Sequence, residues 1–115
     1  MTNSLIKSLR IGAAVLGFAW CGVAAQAAEG DATRAISKNS MCIGCHSIPG
    51  YKASFPAVYN VPKLGGQSAS YIVAALQAYK KGDRNHPTMK AIAEGLSEQD
   101  MADLAAYYSA SSATH

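Results

Sequence analysis

Met41-Cys42-Ile43-Gly44-Cys45-His46-Ser47 decides how this chain is read, because it holds the pattern Cys-x-x-Cys-His. On a helical turn Cys42 and Cys45 lie three residues apart on one face, and His46 follows on that face four residues after Cys42. Thiols so placed can reach the two vinyl groups along one edge of a porphyrin, and the imidazole is then held where it can ligate the iron. The pattern points to one haem c, covalently attached through Cys42 and Cys45, with the remaining chain wrapped round the disc.

Two other chemistries use paired cysteines. A zinc site needs two more ligands, and outside the motif the chain offers Cys21, His86 and His115, none of them in a second closely spaced pair. A thioredoxin-like redox pair would follow a strand in a βαβ unit, whereas the residues before Cys42 read as a helix. Histidine directly after the second cysteine is what haem ligation requires, and a dithiol has no need of it.

Towards the N-terminus, Lys7 and Arg10 precede an apolar run at 11–25 and the small-residue pattern Ala25-Gln26-Ala27. This predicts a secretory signal peptide over residues 1–27, cleaved near Ala27. The apolar run has about 15 residues where a spanning helix needs about 20, so an uncleaved membrane anchor is the weaker alternative and no stable membrane insertion is expected after cleavage. Cys21 lies inside the leader, beside the bulky Trp20, and leaves with it. Residues 28–115 then form one small domain in the periplasm, with Cys42 and Cys45 as its only cysteines. A domain of this length builds a marginal core by itself and has no disulfide to reinforce it. A large apolar cofactor at its centre meets that physical need.

Of the ten Lys and Arg the leader holds two, and it holds none of the seven Asp and Glu, so the net charge falls from +3 to about +1. The distribution says more than the total. Between Arg34 and Lys90 the only acid is Asp83, while after Lys90 come Glu94, Glu98, Asp100 and Asp103 with no base. With no long basic run and no recurring pattern of stacking aromatics, nucleic acid is not an expected partner. Lys52, Lys63, Lys80, Lys81 and Lys90 are instead expected to ring a haem edge, with the acids displaced towards the last helix. Redox proteins bearing an acidic patch would dock there, and the chain itself is expected to be a monomer.

Along residues 31 to about 41 the sequence predicts a helix with Asp31 at its N-terminal end and Ala32, Ala35 and Ile36 on its apolar face. After Pro49-Gly50 a loop runs to Gln67, too long for a mere connection and long enough to drape over a cofactor. Ser68 caps a helix that reaches about Lys81 and stops at Gly82, with Tyr71, Ile72, Ala75, Leu76 and Tyr79 at helical spacing. A polar turn at 82–87 leads to a short helical piece at 90–94. Ser97-x-x-Asp100 then opens the last helix, where Met101, Leu104, Ala105 and Tyr108 fall at i, i+3, i+4 and i+7. The tail at 109–115 is expected to fray. Every regular element reads as helical, which makes the fold class all-α.

A six-coordinate iron needs a second axial ligand. Met41 adjoins Cys42 on the proximal side, Met101 falls in the apolar register of the last helix, where methionine fills gaps, and His115 is at a loose end. His86 precedes Pro87 in a polar turn, where a solvated histidine is the default. Met89 remains the first choice, 43 residues after His46; His86 and an open or water-bound iron are the alternatives.

The chain resembles the class I c-type cytochromes, and among them the small bacterial monohaem cytochrome c-553 group. The resemblance spans 30–108. It rests on Cys42-Ile43-Gly44-Cys45-His46, on Pro62-Lys63-Leu64-Gly65-Gly66-Gln67 followed by Tyr71, on Gly82-Asp83-Arg84 leading to Met89, and on Leu96-Ser97 leading to Leu104-Ala105-Ala106-Tyr107-Tyr108. It implies a small class I cytochrome c fold of about four short helices round one haem. It further implies that the Pro62 carbonyl accepts a hydrogen bond from the second imidazole nitrogen of His46, that Leu64 packs on the haem, and that the first and last helices cross at Ala32, Ala35, Leu104 and Tyr108. Dihaem relatives carry two haem motifs, and this sequence has one. The expected function is one-electron transport between respiratory or dehydrogenase partners, without a catalytic acid, base or nucleophile. The alternatives are a haem enzyme or gas sensor with an open sixth position, and a fixed cytochrome subunit of an oxidoreductase complex.

Overall fold

The computed structural model describes residues 28–54 and 57–111, so the leader expected at 1–27 lies outside the described residues. Helices α1 (Ala32–Ala35) and α2 (Ser40–His46) are followed by strands β1 (Lys52–Ala53) and β2 (Tyr59–Asn60), then by α3 (Ala69–Lys81), α4 (Pro87–Glu94) and α5 (Glu98–Ala110).

The long helices start and stop where local chemistry directs. At the head of α5 Ser97 Oγ accepts from the Asp100 amide at 3.1 Å, and the Asp100 carboxylate accepts from the Ser97 amide at 2.9 Å. Two end amides are thereby satisfied reciprocally. Ser68 Oγ accepts from the Tyr71 amide at 3.4 Å to open α3. Gly82 closes it at φ +89°, a left-handed conformation that side chains resist, and its amide returns to the Ala78 carbonyl at 3.0 Å. Helix α4 begins at Pro87, three residues before the predicted piece, because proline suits the first helical position and His86 serves as its cap.

Helix α5 is the element on which the others pack: α1 and α3 both lie against it, and α4 lies against α3. Its buried Met101, Leu104, Ala105 and Tyr108 form one cluster with Ala35, Ile72, Leu76 and Leu96. Leu96 and Met101 are the largest fully buried side chains, each worth roughly 1.5–3 kcal/mol of apolar burial. The α1 seam is close because its residues are small: Ala35 is fully buried, and a Cβ added at Gly30 would stand 2.1 Å from the Ala102 carbonyl oxygen.

Three expectations need correction. The helix predicted over 31–41 is two helices, since at 36–39 the backbone switches to tighter bonds such as Lys38 N–H to Ala35 O at 2.9 Å. The buried Asn39 sits at this turn, and its side-chain oxygen accepts from the Tyr108 hydroxyl of α5. Ile36 consequently points away from the core and is 66% exposed. The loop also contains a small antiparallel hairpin, Lys52 opposite Asn60 and Ala53 opposite Tyr59, whose strands are too short to show an alternating pattern.

One acid of the last helix is buried: Asp103. It receives Arg34 Nη2 at 2.8 Å and Nε at 2.9 Å, the Asp31 amide at 2.7 Å and Gln99 Nε2 at 2.9 Å. The bonded Arg34 guanidinium holds the Asp103 carboxyl well below the usual carboxylate range, against the opposing effect of burial. This clamp fastens α1 to α5.

Candidate haem site

Helix α2 carries Cys42, Cys45 and His46 on its last two turns. Cys42 is half-buried and packs against the core cluster, whereas Cys45 is exposed. Burial pushes the Cys42 thiol above its ordinary pKa, opposite to the lowered thiol of a redox-active cysteine pair. The neighbouring Tyr108 hydroxyl is pushed up as well, by burial first and by Cys42 next.

His46 Nδ1 lies 2.7 Å from the Pro62 carbonyl oxygen. A carbonyl only accepts, so Nδ1 carries the proton and Nε2 presents its lone pair. The loop that supplies Pro62 is pinned at its far end, where the Gly66 amide donates to the Tyr108 carbonyl at 2.9 Å and the Gln67 amide to Leu64 O at 3.1 Å. Leu64 on this loop and Met89 on α4 are half-buried against the same cluster as Cys42. The structure therefore gathers Cys42, Leu64 and Met89 round one apolar centre and pairs His46 with Pro62.

The competing methionines have other places. Met101 is fully buried in α5, and Met41 on α2 is 44% exposed. His86 is not a solvated turn residue: its Nδ1 accepts from the Met89 amide at 3.1 Å, and its ring meets Tyr59 edge-to-face at 5.0 Å. The Tyr59 hydroxyl is buried and has no hydrogen-bond partner among the described residues. Spacing alone did not single out Tyr59, Asn39 or the capping role of His86, although Pro87 at a first helical position is the signal that would have marked His86 as a cap.

The family model for cytochrome c matches residues 31–110. The chain belongs to the cytochrome c family. Cytochrome c-554(548) of Halomonas halodenitrificans is 41% identical over 83 residues, covering 70% of this chain and 95% of that protein. Cytochrome c4 of Pseudomonas aeruginosa is 35% identical over 106 residues, which is 92% of this chain but 47% of that protein. The crystal structure of reduced recombinant cytochrome c4 from Pseudomonas stutzeri superposes with a TM-score of 0.52 over 75% of this chain and 52% of that one, at 24% identity, and shows the shared all-α fold. The chain thus spans about half the length of the c4 proteins that it matches. As a cytochrome c it carries haem c with its iron, and its activity is electron transfer rather than catalysis.

The residues present suit such a group. A thiol pair and an imidazole with a free Nε2 are borne by one helix, apolar Leu64 and Met89 face the same cluster, and the buried Tyr59 hydroxyl is a donor of the kind a haem carboxylate satisfies. Among the described residues no three His, Cys, Asp or Glu side chains gather into a metal-binding group.

Proposed function

We propose that this cytochrome c is an exported, periplasmic one-electron carrier with a single haem held by Cys42 and Cys45 and ligated by His46 and Met89. When bound, the haem supplies a reversible ferrous–ferric couple, raised in potential by a thioether ligand. The observation that carries the proposal is the 2.7 Å bond from His46 Nδ1 to Pro62 O, which orients the ring and leaves Nε2 available, so that His46 would ligate the iron of a bound haem through Nε2. Leu64, half-buried against the core cluster, would shield one side of a bound haem from water. The half-burial of Met89 beside that cluster favours it as the sixth ligand, and the engagement of His86 Nδ1 with the Met89 backbone weighs against His86.

Export rests on the pattern of residues 1–27; separately, no helix among the described residues is long and apolar enough to cross a membrane. Docking of acidic redox partners is assigned to Lys52, Lys63, Lys80, Lys81 and Lys90, all exposed. Lys80 Nζ also donates to the Leu96 carbonyl and Lys90 lies 3.9 Å from Glu94, so Lys52 and Lys81 are the sharper probes of this face. Mass spectrometry of the exported protein tests the proposal. The expected mass is that of residues 28–115 plus one haem, lost in part when Cys42 or Cys45 is changed to Ser and unaffected by Cys21→Ser. A haem that extracts without cleavage of a thioether would contradict it.

A further inference from the structure

We infer that His86 is a positioning residue for Met89, capping helix α4 through the Met89 amide while its ring is wedged between Tyr59 and Tyr79. The inference rests on the proposed ligation by Met89. Pro87, Thr88 and Met89 are the first three residues of α4, so the Met89 amide is one of the end groups that no helical carbonyl can satisfy. His86 Nδ1 accepts it at 3.1 Å. Helix caps are usually Ser, Thr, Asp or Asn, short side chains that hold only their own helix. A histidine in that role adds a ring, and this ring meets Tyr59 of β2 at 5.0 Å and 87° and Tyr79 of α3 at 6.3 Å and 77°. Tyr79 is itself covered by the Arg84 guanidinium, 4.6 Å from its centroid. Edge-to-face geometry is the favourable one for such pairs. The start of α4, and with it the Met89 backbone, is thus located against the hairpin and α3 as well as within its own turn.

The consequence lies in local opening. An external ligand reaches the iron when the segment bearing the sixth ligand swings away, and that opening has its own free energy, set by the contacts that close it. Removing the cap lowers it. The test uses the haem-loaded ferric protein with imidazole as the competing ligand, followed at the sulfur-to-iron absorption band.

His86→Ala is expected to lose half of that band at an imidazole concentration about tenfold below that of the unaltered protein, the factor that loss of a helix cap implies. His86→Asn restores a capping acceptor without the ring and is expected to stay within about threefold of the unaltered protein. An unshifted response in His86→Ala overturns the inference, as does an equal shift in both variants, since capping would then contribute nothing. If His86→Ala does not take up haem, hydrogen exchange at the Met89 amide decides: protection in the unaltered protein and in His86→Asn supports the capping bond, and an unprotected Met89 amide overturns it. Met89→Ala is the control and is expected to lack the band. Its persistence there would remove Met89 as the ligand and the inference with it, a result distinct from an unresponsive His86→Ala.

Discussion

At the scale of single residues, two methionines on consecutive helices differ in burial, and the proposed ligation gives them different tasks. Met101 is fully enclosed in α5, while Met89 sits half-buried at the edge of the same cluster. Met89→Ala should remove the sulfur-to-iron band, lower the potential and open the iron to external ligands. Met101→Leu should leave all three unchanged and cost less than about 1.5 kcal/mol, as near-isosteric core swaps do; absorption spectra and thermal melts of the pair check both. Cys42, Cys45 and His46 stood out in the sequence as candidate haem-binding residues because their spacing is chemistry in itself. His86 did not, because proline after a histidine reads equally as a turn or as a helix start until the backbone is seen. The clamp made by Asp103 was not legible either, since in sequence it is one acid among four and only the fold brings Arg34, 69 residues away, onto it.

At the scale of elements, both ends of α3 and the start of α5 were legible since caps are local, whereas the break between α1 and α2 was not. That break depends on Asn39 meeting Tyr108 across 69 residues of sequence. The hairpin β1–β2 escaped notice because two-residue strands carry no period. Two substitutions separate local from long-range control of α5. Ser97→Ala should cost about 1 kcal/mol, the usual loss of an N-cap, with little change in haem spectra. Gly30→Ala should be more damaging, because its Cβ would fall 2.1 Å from the Ala102 carbonyl and push α1 off α5. Denaturant melts rank the two, and equal effects would mean that the seam is looser than its geometry implies.

At the scale of the whole molecule, stability and docking both depend on charge, in different places. The Arg34–Asp103 clamp joins α1 to α5, with the carboxylate buried and the guanidinium side half-exposed. Because the Asp103 carboxyl is held below its unfolded value, the unfolded chain binds more protons in acid, so the stabilisation is fully present above the ordinary carboxylate range and is lost as pH falls through and below it. Asp103→Asn should therefore be less stable than the unaltered protein at neutral pH, with the gap closing in acid, a comparison made by melts across pH 2–7. The proposed docking face is external and would be subject to salt: the Debye length falls from about 10 Å at 0.1 M to about 3 Å at 1 M. Electron transfer to an acidic acceptor should slow with added salt, and Lys52→Glu with Lys81→Glu should slow it more at low salt than at high salt; stopped-flow rates indifferent to both would leave that face without a docking role. The central claim, a six-coordinate carrier of one electron, is tested most directly by a potentiometric titration of the exported protein followed optically. A single reversible one-electron transition is expected, with the sulfur-to-iron band present in the ferric form and no reaction with carbon monoxide in the ferrous form. A ferrous protein that binds carbon monoxide readily, with no such band when oxidised, would contradict it.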